Sequence, residues 1–160
     1  MNEMDMCDED FMREAIALSI DSVRKGGGPF GAVLVKDGVV IARGENRVTI
    51  ECDPTSHAEV NAIRCGAKVL GSYDLSGCVL YTSCEPCPMC LGAIYWAHID
   101  KVYYGNTKED AKAIRFDDSF IYDEIDLPPG CRQLPSERIL GDEAIAAFRE
   151  WEAKADKVEY

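Results

Sequence analysis

The stretch CVLYTSCEPCPMCLGAIYWA, residues 78–97, decides how the chain folds. Cys78 to Ser83 alternates as a buried strand does, and Pro86 and Pro88 then open a helix running to about Ala97. Downstream, Lys101 to Tyr104 predicts the next strand, stopped by Gly105. Upstream, a helix is expected from about His57 to Leu70, closed by Gly71, with Ser56 and Glu59 at capping-box spacing. Ala32 to Val35 and Val39 to Ala42 are apolar runs separated by Lys36-Asp37-Gly38, which signals a hairpin. Phe11, Met12, Ala15, Ile16, Ser19 and Val23 recur at helical steps before a Gly26-Gly27-Gly28 stop. Short strands alternating with helices predict an α/β layer fold with parallel pairing.

Beyond residue 106 the pattern weakens to a short helix near Ala111 to Ile114 and a turn at Pro128-Pro129-Gly130. Ala144, Phe148, Trp151 and Ala155 then predict a last helix with one face packed inward. No repeat, low-complexity tract or Gly/Ser linker interrupts the chain, so a single domain over residues 1–160 is expected.

Composition narrows the function. The 160 residues carry 29 acidic and 17 basic side chains, a net charge of −12. Such a surface repels phosphate backbones and anionic lipid, which speaks against nucleic-acid and membrane partners. The eight cysteines are too sparse for a disulfide scaffold, and the start MNEMDMCDED is acidic where a signal peptide is basic and then apolar. Reduced thiols and a cytoplasmic location are expected. No apolar run approaches the ~20 residues that cross a bilayer.

The chemistry lies in two segments: His57-Ala58-Glu59 and Cys84-Glu85-Pro86-Cys87-Pro88-Met89-Cys90. Cys87 and Cys90 stand three apart at a helix start, where sulfurs share one face and the helix dipole favours thiolates. With His57 they form a set suited to tetrahedral zinc, and the fourth position stays open for water. Zinc brings the pKa of such a water to about 7, and Glu59 is the carboxylate that can take its proton and deliver it to a substrate nitrogen. A closed structural site, with Cys84 as a fourth ligand, is the alternative. Cys7, Cys52, Cys65, Cys78 and Cys131 have no ligand-like spacing, and His98 has no partner motif.

H-x-E followed by P-C-x-x-C is the signature of the zinc nucleobase deaminases. The sequence resembles the cytidine deaminase superfamily and, within it, the guanine deaminase branch. The resemblance is carried by GGPFGAV (27–33), Asn46, DPTSHAEVNAIR (53–64), LYTSCEPCPMCLGAIYWA (80–97), FDDSFIY (116–122) and Tyr160. It implies a three-layer α/β/α fold whose mixed sheet has about five strands. It also implies one Zn2+ per subunit on His57, Cys87 and Cys90, and hydrolysis of guanine to xanthine and ammonia by attack of zinc-bound hydroxide at C2. Glu59 would be the proton shuttle and Asp118 a second acid near the exocyclic amine. Asn46 would hydrogen-bond the ring. Phe30, Trp96 and Phe116 would supply aromatic surface, the backbone at Ala58 would lie against the base, and Tyr160 would cap the pocket. C-terminal segments in this family are exchanged between dimer partners, so a homodimer is expected.

Three other functions stay open on sequence alone. One is a deaminase of another small base or nucleoside, such as guanosine, cytosine or a triazine amine. The second is a tRNA adenosine deaminase, although Arg13, Arg24, Arg43, Arg47, Arg64 and Arg115 are scattered while Asp123, Glu124 and Asp126 cluster. The third is a non-catalytic zinc-stabilised module.

Overall fold

Alternation along two central strands builds both faces of the sheet. In the computed structural model, which describes residues 6–160, helix α1 (Asp8–Arg24) precedes strands β1 (Gly31–Lys36) and β2 (Val39–Glu45). There follow a short helix α2 (Val48–Glu51), α3 (Ala58–Leu70), β3 (Cys78–Cys84), α4 (Pro88–Trp96), β4 (Lys101–Asn106) and α5 (Lys108–Ala113). The strand order is β2-β1-β3-β4. β1 is antiparallel to both β2 and β3, while β3 and β4 run parallel, joined through α4. Ala32, Leu34 and Leu80 point to one face and pack with Ala58 and Ala62 of α3 and Ile94 of α4. Val33, Val35 and Tyr81 point to the other and pack with Phe11 and Ala15 of α1. Helices thus cover both faces, giving the expected three layers.

Several expectations change in detail. The described residues form four strands where about five were expected, because the chain leaving β4 enters α5 at once. Thr107 caps that helix by accepting from the Asp110 N–H, and the Asp110 carboxylate accepts from the Thr107 N–H. Among the described residues, parallel pairing is confined to β3 and β4. β4 runs through Gly105 to Asn106, since this glycine lets β4 lie close to β3: a Cβ there would meet the Ser83 carbonyl at 3.0 Å. On α1, Ile16 and Val23 are exposed, and Phe11, Ala15, Ser19 and Ser22 turn inward. Small residues are required there because β1 begins so close that a Cβ on Gly31 would strike the backbone at Ala15 and Ser19.

The hairpin forms as read. Asp37 and Gly38 both take positive φ, 50° and 75°, as a two-residue turn joining β1 to β2 demands. Gly44 on β2 has a different task. A Cβ there would collide with the Ala58 carbonyl and lie 2.6 Å from the Ala62 amide nitrogen, so glycine permits the strand to seat the first turn of α3.

Two compact units are distinguished within the chain, one running through Asp118 and the other Ser119–Tyr160. The second contains α6 (Ser119–Ile125), a 3-10 turn (Pro129–Cys131) and α7 (Gly141–Ala153). Arg132 caps the end of α6 by donating to the Glu124 and Ile125 carbonyls, at 2.9 and 3.4 Å. The inward face expected of the last helix is not buried: Phe148 and Trp151 are exposed, and Ala155 lies past the helix end. Among the described residues no helix is long and apolar enough to cross a membrane.

The N-terminus of α1 is tied to the sheet by one carboxylate. Asp8 accepts from the Tyr81 hydroxyl at 2.6 Å and the Tyr103 hydroxyl at 2.9 Å, and the two rings stack with centroids 5.1 Å apart. These hydrogen bonds, Tyr81 first, hold the Asp8 carboxyl below the usual carboxylate range. A depressed pKa contributes stability above the unfolded value, and this is lost as pH falls through the folded one. Asp8→Asn should therefore melt below the wild type at neutral pH, with the gap closing in scans below about pH 3.9. Gly44→Ala should destabilise by about 1–3 kcal/mol, the usual cost of overpacking, seen as a lower chemical-denaturation midpoint.

Candidate active site

Two helix N-termini carry the candidate metal ligands. His57 is the N-cap of α3 and Cys87 the N-cap of α4, with Pro88 in the first turn and Cys90 one turn on. The capping box read at Ser56 and Glu59 does not form. His57 occupies the cap position without a side-chain cap bond, and the buried Ser56 hydroxyl donates to Glu51 at 2.9 Å. Glu59 is thereby free to turn inward.

His57 Nδ1 lies 3.5 Å from Cys87 Sγ and 3.4 Å from Cys90 Sγ. Zinc bonds of about 2.3 Å to sulfur and about 2.0–2.1 Å to nitrogen at a tetrahedral angle separate N from S by roughly 3.6 Å, so the three atoms fit around one ion. They form the one group of three or more His, Cys, Asp or Glu side chains among the described residues that could hold a metal. Cys84 is outside it: its thiol points to the Thr107 carbonyl at 3.7 Å, and burial pushes it up to about 11. The Cys87 thiol is pulled below its usual range, chiefly by its interaction with Cys90 and then by His57. His57 in turn is raised, first by its hydrogen bond with Cys87. A dication is the partner that resolves such a cluster, since metal binding releases thiol protons.

Glu59 is 5% exposed. Its Oε2 accepts from the Cys90 thiol at 3.4 Å and its Oε1 from the Thr82 hydroxyl at 3.0 Å. Burial raises its pKa. His57, Glu59 and Cys87 line a cavity of about 430 Å³ together with Gly28, Phe30, Asn46, Cys84, Glu85, Phe116 and Asp118. That volume lies within the roughly 300–1,000 Å³ of small-molecule sites. Phe30 and Phe116 meet edge to face with centroids 5.1 Å apart. Asn46 is buried, and its Oδ1 accepts from the Gly28 and Val48 amides at 3.2 and 3.3 Å, which orients the amide and leaves Nδ2 as donor. Burial also raises the Asp118 carboxyl.

Most residues singled out in the sequence therefore surround one cavity, and Ala58 is buried at the first position of α3. Trp96 is not among the residues that line the cavity; it ends α4 and is 66% exposed. Tyr160 ends the second unit and is exposed. Sequence reasoning missed Thr82, Cys84 as a cavity wall, and Glu85, whose carboxylate accepts from the Lys108 amide. Strand alternation carried the signal for Thr82: it follows Cys78 and Leu80 on the core face of β3 yet bears a hydroxyl.

Residues 5–106 match the model of the cytidine and deoxycytidylate deaminase zinc-binding region. The chain belongs to this family. As a member it carries a zinc-binding region, and His57, Cys87 and Cys90 within it are the group that could hold the ion. It is 54% identical to the guanine deaminase of Bacillus subtilis (strain 168), over 95% of this chain and 98% of the relative. An X-ray structure of guanine deaminase from Bacillus subtilis superimposes with a TM-score of 0.94 at 53% identity, covering 97% of this chain and 99% of that one. The tRNA-specific adenosine deaminase of Bacillus subtilis (strain 168) is 43% identical, over 61% of each chain.

Metal analysis checks the ligand set. Cys87→Ser, Cys90→Ser and His57→Ala should each lose more than half of the bound zinc on dialysis, while Cys84→Ser should keep one zinc per chain.

Proposed function

We propose that this family member hydrolyses guanine to xanthine and ammonia. The observation that carries the reading is the reach of its likeness to a guanine deaminase, 95% of the chain, against 61% for a tRNA-specific adenosine deaminase. The net charge of −12 also suits a small neutral substrate better than RNA.

The cavity suits the base. Phe30 and Phe116 offer aromatic surface to a flat ring, and the Asn46 Nδ2 donor matches the O6 and N7 acceptors of guanine. When bound, zinc supplies hydroxide at neutral pH by lowering the pKa of water to about 7. Glu59 accepts the water proton at Oε2 and returns it to the base. With Cys90 held as a thiolate ligand, Glu59 Oε2 would lose the thiol hydrogen bond it accepts at 3.4 Å and would be free for that exchange. The C2–N bond then breaks as the amine takes up a proton. Asp118, with a raised carboxyl on the cavity wall, is the second acid placed for that step.

The same reading has two copies pairing in the cytoplasm as a homodimer of single domains, residues 119–160 being exchanged between them. Its support is the apolar surface a partner would cover: Trp96, Phe148 and Trp151 are all exposed, and α6 and α7 bury no residue. Tyr160 is assigned the cap that excludes a ribose, an assignment that equal turnover of guanosine and guanine would contradict.

Zinc-loaded protein incubated with guanine should release xanthine and ammonia in equal amounts. Glu59→Gln should keep its zinc and lose at least about 100-fold in kcat, the lower bound for removing a positioned proton carrier. Turnover of a different amine-bearing base with none of guanine would overturn the reading.

A further inference from the structure

Thr82 is not among the residues that line the cavity, yet its hydroxyl bonds the group assigned to move the proton. We infer that Thr82 is the positioning residue of Glu59: its hydroxyl pins Oε1, so that Oε2 is the oxygen turned toward the ligand cluster. The inference rests on Glu59 being the proton carrier of the proposed reaction.

The geometry is specific. Thr82 is fully buried on the central strand β3, where water does not reach, and Oγ1 lies 3.0 Å from Glu59 Oε1 and 3.1 Å from the Cys84 carbonyl. A hydroxyl has one proton and two lone pairs, so it serves these two acceptors one at a time. When Glu59 is a carboxylate, the proton points to Oε1 and supports the charge. When Glu59 holds the shuttled proton, Oε1 is a weaker acceptor and the Thr82 proton has the Cys84 carbonyl as its alternative. If the acid proton sits on Oε1, the hydroxyl accepts it. No buried donor is stranded in either state, and stranding one is what makes a buried polar group costly. A fixed backbone N–H in this place would favour the carboxylate alone and hinder the uptake of the proton. A valine would fill the same volume but leave Oε1 without this partner.

The orientation also accounts for the division of labour between the two oxygens. Oε2 faces Cys90 Sγ at 3.4 Å, on the side of the metal ligands, while Oε1 is held on the strand side. A carboxylate released at Oε1 can rotate about its last bond and present either oxygen, which lowers the fraction of enzyme poised for transfer.

The test compares zinc-loaded wild type, Thr82→Val and Thr82→Ser by steady-state kinetics on guanine, by zinc content and by xanthine binding in calorimetry. Thr82→Val should lose about 10- to 100-fold in kcat, part of the full effect of a general acid–base, with KM within about threefold. Its zinc content and xanthine affinity should match the wild type, and Thr82→Ser should recover kcat to within about threefold of it. The inference is overturned if Thr82→Val keeps kcat, if Thr82→Ser is as slow as Thr82→Val, or if Thr82→Val loses zinc or xanthine affinity. Wild type that ignores guanine but deaminates another heterocycle refutes the guanine reading alone, and the three proteins are then compared on that substrate. Wild type inert toward every amine-bearing base refutes both.

Discussion

The imidazole of His57 lies within 3.5 Å of the sulfurs of both Cys87 and Cys90 because two helices start at one point. Everything else in the site follows from that convergence. Each helix contributes its N-terminal end, where the dipole favours negative charge and the first amides lack intrahelical partners. Two thiols brought there share hydrogen bonds with an imidazole, and one of them is driven toward thiolate. A dication would balance the set, and the Glu59 carboxylate in the first turn of α3 stands beside it.

Holding two helix starts together demands close approach, and the sheet supplies it through small residues. Gly44 admits the first turn of α3 to β2, and Gly31 admits α1 to β1. The Ser22 hydroxyl of α1 then has the Gly28 carbonyl at 2.7 Å and the Asn46 carbonyl at 2.9 Å as alternative acceptors for its one proton, tying down the loop that carries Phe30 and the residue whose amide faces the cavity. The core and the site are thus one construction. Leu34, Leu80 and Ala62 build the apolar layer, and the same strand face ends in Thr82 and Cys84 beneath Glu59.

Much of this was legible in the sequence, for reasons that can be stated residue by residue. The hairpin was readable because Asp37-Gly38 demands two positive φ angles. The convergence of His57, Cys87 and Cys90 was readable because zinc chemistry restricts residue type and spacing. What escaped was set by tertiary contact. Gly105 reads as a stop but serves close packing of β4 on β3, and Ile16 and Val23 read as core although α1 turns smaller residues to the sheet. Ser56 and Glu59 have capping-box spacing, yet each finds a stronger partner elsewhere, Ser56 in Glu51 and Glu59 in Thr82. Local pattern cannot weigh a local bond against a buried distant one.

The account stands on three protein ligands, two of them sulfur, with Cys84 kept apart. X-ray absorption at the zinc edge of the loaded protein measures this directly. The expected spectrum fits two sulfur scatterers at about 2.3 Å and lighter nitrogen or oxygen scatterers at about 2.0–2.1 Å. A fit requiring three sulfurs would bring Cys84 into the shell, close the site to water and contradict the account.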